Sequence, residues 1–145
     1  MKLHRQLVHL QTRLGQQVDG SALALFRIAF GLLAAYELGF KLWSGKHLEL
    51  VDKNVHFAVP LFEWLPRPSS EPQSILFHAL LIGLCLMVAG GLLFRVSCSL
   101  LCLGLSAYLL MEKSLYINHI YLYCLLSGLL SVSAAHNMLS VDAWL

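Results

Sequence analysis
Apolar positions run along this chain in long unbroken blocks, not in the alternating or amphipathic patterns of a soluble domain. Residues 75–94 (ILFHALLIGLCLMVAGGLLF), 96–111 and 114–135 contain no Asp, Glu, Lys or Arg. A bilayer-crossing helix needs roughly 17–25 mostly apolar residues, and each of these runs approaches or meets that length. A fourth block, GSALALFRIAFGLLAAYELGF (20–40), has the same character but carries Arg27 and Glu37. The pattern predicts an all-α integral membrane protein with four transmembrane helices at about 20–43, 74–94, 96–112 and 117–136.

The remaining segments supply the punctuation. Residues 1–18 place Leu3, Leu7, Leu10 and Leu14 at helical spacing among Lys2, Arg5 and Arg13. That is the pattern of an amphipathic helix lying at the membrane surface, and it leaves residues 19–145 as one membrane domain. Its lack of a continuous apolar core argues against a cleavable signal peptide. Asp19-Gly20-Ser21 offers an N-cap for the first span. Arg95 marks a tight turn between the second and third spans. The residues 44–73 form one long polar connection with four prolines and an aromatic group, His56, Phe57, Phe62 and Trp64. Such a group suits either an interfacial aromatic belt or the lid of a pocket. Gly90, Gly91, Gly104 and Ser106 are small enough to let helices approach closely.

Composition agrees with the pattern. Of 145 residues, 58% are hydrophobic and 12% charged, and the mean hydropathy is +0.70; a soluble domain carries about a quarter charged residues. A net charge of +2, spread along the chain, argues against nucleic acid as a partner. Cys85, Cys98, Cys102 and Cys124 all fall in apolar runs without a CxxC pair, so they are expected to pack as small hydrophobes, and no metal site is expected. Orientation is not set by charge. Lys2, Arg5, Arg13 and Arg95 fall on one side and Lys41, Lys46, Lys53, Arg67 and Lys113 on the other, nearly balanced for the positive-inside rule.

The polar residues inside the apolar runs are the candidates for chemistry. Arg27 in mid-helix would cost roughly 2.5–3.5 kcal/mol in hydrocarbon. It either snorkels to the surface, contacts a ligand, or serves as a hydrogen-bonding hub between helices, which is the favoured structural role. Glu37, ten residues on, lies about 15 Å along the helix and is a poor partner for it. The stretch MEKSLYINHIYLY (111–123) brings Lys113, Tyr116, Asn118, His119 and Tyr123 to one helix end. His119 and Tyr123, four apart, share a helix face. Lys113 is either a snorkelling anchor or a desolvated lysine able to act as a base.

The segments LFRIAFGLL (25–33), VHFAVPLFEWLPRP (55–68), GLLFRVSCSL (91–100), YLLMEKSLYINHIYLYCLLS (108–127) and AHNMLSVDAWL (135–145), in this order, resemble the membrane (HTTM) domain of the vitamin K-dependent gamma-carboxylase family. The resemblance covers the chain from about residue 19 onward and is most specific around Lys113, although Glu112 stands where the family pattern has Asp. It implies that Lys113 deprotonates reduced vitamin K or a related quinol. The quinol then reacts with dioxygen, the γ-carbon of a substrate glutamate is deprotonated and carboxylated, and the quinone leaves as its epoxide. It further implies His119 as a second catalytic residue. Asn118, Tyr116, Tyr123, His56 and Trp64 become cofactor-binding residues, a glutamate-containing protein or peptide the partner, and the non-cytoplasmic face the site of reaction. Family enzymes continue past a motif like SVDAWL with further helices and a large non-membrane domain, so this chain is expected to be either the front part of such a protein or a minimal relative. The alternatives from other classes are a non-catalytic quinone-binding module like the small four-helix DoxX-type proteins, and a purely structural membrane module.

Overall fold
The computed structural model describes residues 20–51, 62, 64–111, 118–133 and 140–144. Four helices occupy them: α1 (Ser21–Trp43), α2 (Glu71–Gly90), α3 (Phe94–Met111) and α4 (Asn118–Val132), with 3-10 turns at Lys46–Leu50 and Val141–Ala143. The first three are long and apolar enough to cross a membrane, at 23, 20 and 18 residues. Within the described residues α4 is also apolar but has only 15, shorter than a full span. The protein is therefore an all-helical integral membrane protein with three span-length helices and a shorter fourth. The proposed surface helix at 1–18 lies outside the described residues, as does Asp19.

The helices run alternately up and down. α1 packs on α2, α2 on α3 and α3 on α4. A 5.9 Å edge contact between Phe30 and Tyr123 joins α1 to α4 and closes the bundle. Each helix turns one stripe inward at spacings of three and four, as a 3.6-residue period requires. On α1 the stripe is Ala24, Arg27, Phe30, Ala34, Leu38 and Lys41; on α2 it is Ser74, His78, Leu81, Cys85 and Val88. The outward faces are as apolar as the inward ones: Leu25, Leu33, Leu76, Leu80, Leu103 and Leu129 are all exposed. A soluble bundle would put charges there. Hydrocarbon instead accepts leucine on the outside, while polar groups find partners within the bundle. The exposed Trp43 and Trp64 lie at one end of the bundle and Trp144 at the other, where interfacial tryptophans belong.

The helix boundaries correct the sequence reading in several places. α2 begins at Glu71, with Ser70 at its N-cap and Pro72 in its first turn, because a proline lacking an N–H fits the one part of a helix that has no use for it. α2 then stops at Gly90, four residues earlier than expected. Gly91 adopts φ 68°, and the Leu92 N–H bonds the Met87 carbonyl at 2.9 Å, a Schellman closure. The turn is thus made by Gly91 to Leu93, and Arg95 is already inside α3. The first helix is N-capped by Gly20 without a side-chain cap bond. Close approach is set by Gly31, where a Cβ would come within 2.6 Å of the Cys85 carbonyl oxygen, and by Gly104 against Leu81; Gly90, by contrast, faces open space.

Candidate functional site
The two ends of the bundle hold its buried polar groups. At the end where α1 begins, Arg27 is fully buried, its guanidinium 5.7 Å from the centroid of the Phe94 ring. The Asp142 carboxylate, close enough to act on Arg27 electrostatically, accepts the Leu93 and Phe94 N–H groups, both at 2.8 Å. It thereby caps the start of α3, where an anion also meets the positive end of the helix dipole. The Asp142 N–H returns a 3.2 Å bond to the Gly91 carbonyl. Arg27 is therefore internal, and its surroundings close one end of the bundle.

At the other end, the last turn of α1 meets the 3-10 turn, the start of α2 and the end of α3. Lys41, only 3% exposed, donates to the Tyr108 hydroxyl at 3.2 Å. Tyr108 stands edge-on to His78, with ring centroids 5.6 Å apart, and stacks on Phe77. His78 in turn meets His47 at 6.1 Å. Ser74 ties the turn to α2 by donating to the His47 carbonyl at 2.7 Å, and the His78 Nδ1–H donates to the Ser74 carbonyl at 2.9 Å. That bond leaves the His78 Nε2 as a bare lone pair. It is buried without a hydrogen-bond partner among the described residues, and so are both ring nitrogens of His47. A group of this kind left unbonded forfeits about 1–3 kcal/mol, so each of these nitrogens is open to a hydrogen bond from water or a ligand.

One turn before Lys41, Glu37 reaches across to α4. Its Oε1 lies 3.0 Å from the His119 Nε2, and His119 meets Tyr123 on the same helix face at 6.1 Å. The pair is part-exposed, with side chains 26% and 44% accessible respectively. So His119 and Tyr123 do come together, with Glu37 as a partner that sequence spacing did not reveal. Asn118, the first residue of α4, is exposed, and Trp64 is 73% exposed in the connection leading to α2. Lys113, Tyr116 and His56, with Phe57, lie outside the described residues. Among the described residues, no group of three or more His, Cys, Asp and Glu is placed to hold a metal ion.

The members of the buried cluster that sequence reasoning missed are Lys41, His47, His78 and Tyr108. Lys41 counts only as one more charge on a polar side when the chain is read linearly. A signal was nevertheless present: His78 is the one titratable side chain besides Cys85 in the uncharged run 75–94, four residues after Ser74 and hence on the same face.

The HTTM domain model matches residues 16–145, nearly the whole chain. The chain belongs to the HTTM family. The HTTM domain is the signature of vitamin K-dependent carboxylase-like proteins, and the polar end of this bundle holds both His119 and the start of the α4 segment on which the resemblance is most specific. No solved structure matches the chain.

Proposed function
We propose that this protein is a gamma-carboxylase-like membrane enzyme whose quinol-directed site lies at the end of the bundle holding Lys41, His78, Glu37 and His119. The observation that carries the reading is the sealed polar cluster. A lysine, a tyrosine and two histidines with three orphaned ring nitrogens are held inside a membrane bundle, at the end where α3 finishes two residues before Lys113. The donor and acceptor set suits a hydroxylated aromatic ring, since the His78 Nε2 can accept from a hydroxyl, Lys41 can donate, and Phe77 and Tyr108 present flat aromatic faces. When bound, a reduced vitamin K or related quinol supplies the electrons whose passage to dioxygen drives removal of the substrate proton.

The residues divide the work. Lys113 takes the quinol proton, and it acts as a base where water is excluded and its ammonium form is disfavoured. His119, fixed by Glu37, orients that proton acceptor. Asn118, Tyr116, Tyr123, His56 and Trp64 line the approach, and Lys41, Tyr108 and His78 form the dry floor. A glutamate-containing protein or peptide is the acceptor of carbon dioxide, and the reaction faces the non-cytoplasmic side. In the protein embedded in lipid, Lys113→Ala should abolish quinol epoxidation at unchanged expression, with partial rescue by a small exogenous amine. Epoxidation by the Lys113→Ala protein at the parent rate removes the catalytic assignment and leaves a quinone-binding or structural module in its place.

A further inference from the structure
The four cysteines form two unlike sets. Cys85 and Cys98 are sealed in the core. Cys102 and Cys124 are half-buried on the seam between α3 and α4, and their sulfurs lie 4.0 Å apart although 22 positions separate them in the chain. We propose that Cys102 and Cys124 are a redox-active dithiol that closes to a disulfide by passing its electrons to a quinone dissolved in the bilayer.

The contacts around the pair hold the two sulfurs face to face. The Ser106 hydroxyl donates to the Cys102 carbonyl at 2.7 Å, which commits its proton. The Cys124 S–H then has two acceptors in reach, the Ser106 oxygen at 3.0 Å and the Cys102 carbonyl at 3.6 Å. Gly128 faces the Cys102 sulfur, and an added Cβ there would crowd it at 3.3 Å. Because glycine carries no Cβ, the sulfur keeps room to turn about its own side-chain torsion, and the two helices can lie close. A disulfide needs about 2.0 Å between sulfurs, so closure asks for a movement of about 2 Å shared between two side chains.

Position selects the oxidant. Cys102 is in the middle of α3 and Cys124 in the middle of α4. Their neighbours Leu103, Leu125 and Leu129 are exposed on the faces that meet hydrocarbon. A charged aqueous oxidant does not enter that layer, whereas a lipophilic quinone is dissolved in it. The step balances: two S–H bonds break and one S–S bond forms, and the quinone takes up two electrons and two protons to become the quinol. Exchange with a soluble disulfide would instead require that charged oxidant to reach the pair and one cysteine to ionise in the apolar layer, where the thiolate is disfavoured.

The proposal stands independently of the carboxylase reading, and its test needs no carboxylase assay. The pre-reduced protein, in lipid nanodiscs without oxygen, is treated with a fully substituted benzoquinone, which cannot alkylate thiols, or with oxidised glutathione. With the benzoquinone, the intact mass should fall by two hydrogens, peptide mapping should link Cys102 to Cys124, and one quinol should form per link. Oxidised glutathione should leave both thiols open to alkylation. Cys102→Ser and Cys124→Ser should each abolish quinol formation. The idea is overturned if the benzoquinone leaves both thiols alkylatable in the parent protein or links a different pair. Equally rapid closure by oxidised glutathione overturns the assignment of a lipid-side oxidant.

Discussion

The Arg27 end and the Lys41 end of the bundle each bury a cation from α1, but they treat it differently. Around Arg27 the structure is closed upon itself: Asp142 satisfies two backbone donors at the start of α3, the Gly91 carbonyl accepts from Asp142, and the Phe94 ring lies against the guanidinium. Around Lys41 the cation has a tyrosine hydroxyl, and of the four buried side-chain nitrogens that lack a hydrogen bond among the described residues, three are on the histidines beside it. A membrane bundle gains little from apolar burial, because lipid is as apolar as leucine. Its polar contacts therefore carry a larger share of its specificity. The better-satisfied end ties the start of α3 to the C-terminal turn through Asp142, and the less satisfied end keeps hydrogen-bonding capacity unused.

Substitution at the satisfied end should have the largest effects on stability. Gly91→Ala would force a side chain into a φ of 68° and drive its Cβ to 2.7 Å from the Arg27 Nη1. The left-handed backbone alone costs about 1–2 kcal/mol, with overpacking added to it. Asp142→Ala should cost about 1–2 kcal/mol through loss of the cap. Gly31→Ala, colliding with the backbone of α2 at Cys85 and Ala89, belongs with them at about 1–3 kcal/mol. Melting in mild detergent measures all three, and parent-like melting of Asp142→Ala would break the comparison.

Substitution at the unsatisfied end should reverse the balance between stability and activity. His78→Phe loses one bond to the Ser74 carbonyl but also removes an orphaned nitrogen, so the net change should stay within about 1 kcal/mol of the parent. Quinol epoxidation should nevertheless fall by an order of magnitude or more. If His78→Phe melts several degrees lower and retains full activity, the cluster is structural after all.

The same contrast separates what is legible in the sequence from what only packing creates. Uncharged runs located the long helices, because the cost of charge in hydrocarbon acts residue by residue along the chain. The same local rule found Arg27 to be internal and set His119 and Tyr123 on one face. The turn at Gly91 to Leu93 was missed, because a glycine that closes a helix in the left-handed region and a glycine within a membrane helix look alike in sequence. Lys41, His47, His78 and Tyr108 stayed hidden for another reason: they come from three helices and a 3-10 turn, and only tertiary packing makes them neighbours. Cys102 and Cys124 were likewise set aside for want of a CxxC spacing, a local criterion that cannot detect a pair across two helices.

The Glu37–His119 pair lies between the extremes. Both side chains are part-exposed, so water and salt screen their attraction, and such pairs are worth about 0–1 kcal/mol. A double-mutant cycle of Glu37→Gln and His119→Gln, read by melting at low and high salt, should give a coupling below about 1 kcal/mol that shrinks as salt rises. A coupling of several kcal/mol that does not respond to salt would make the pair a structural lock like Asp142, and would move it to the other side of the comparison.

The smallest effect is expected at Gly39, between Leu38 and Phe40 on the same helix as Gly31. A Cβ built at Gly39 meets nothing within 4 Å, whereas one at Gly31 comes within 2.6 Å of the Cys85 carbonyl oxygen and 2.8 Å of the Ala89 nitrogen. Gly39→Ala therefore adds helix propensity without collision, a gain of at most about 1 kcal/mol. Gly31→Ala gains the same propensity and loses more to overpacking. The two substitutions are chemically identical and eight residues apart on α1, so the difference in their melting shifts isolates the packing of α1 on α2 from any intrinsic preference. Opposite signs are the expected result. Equal shifts would mean that α1 and α2 are not in contact at Gly31, and that the register which brings Lys41 under His78 is wrong.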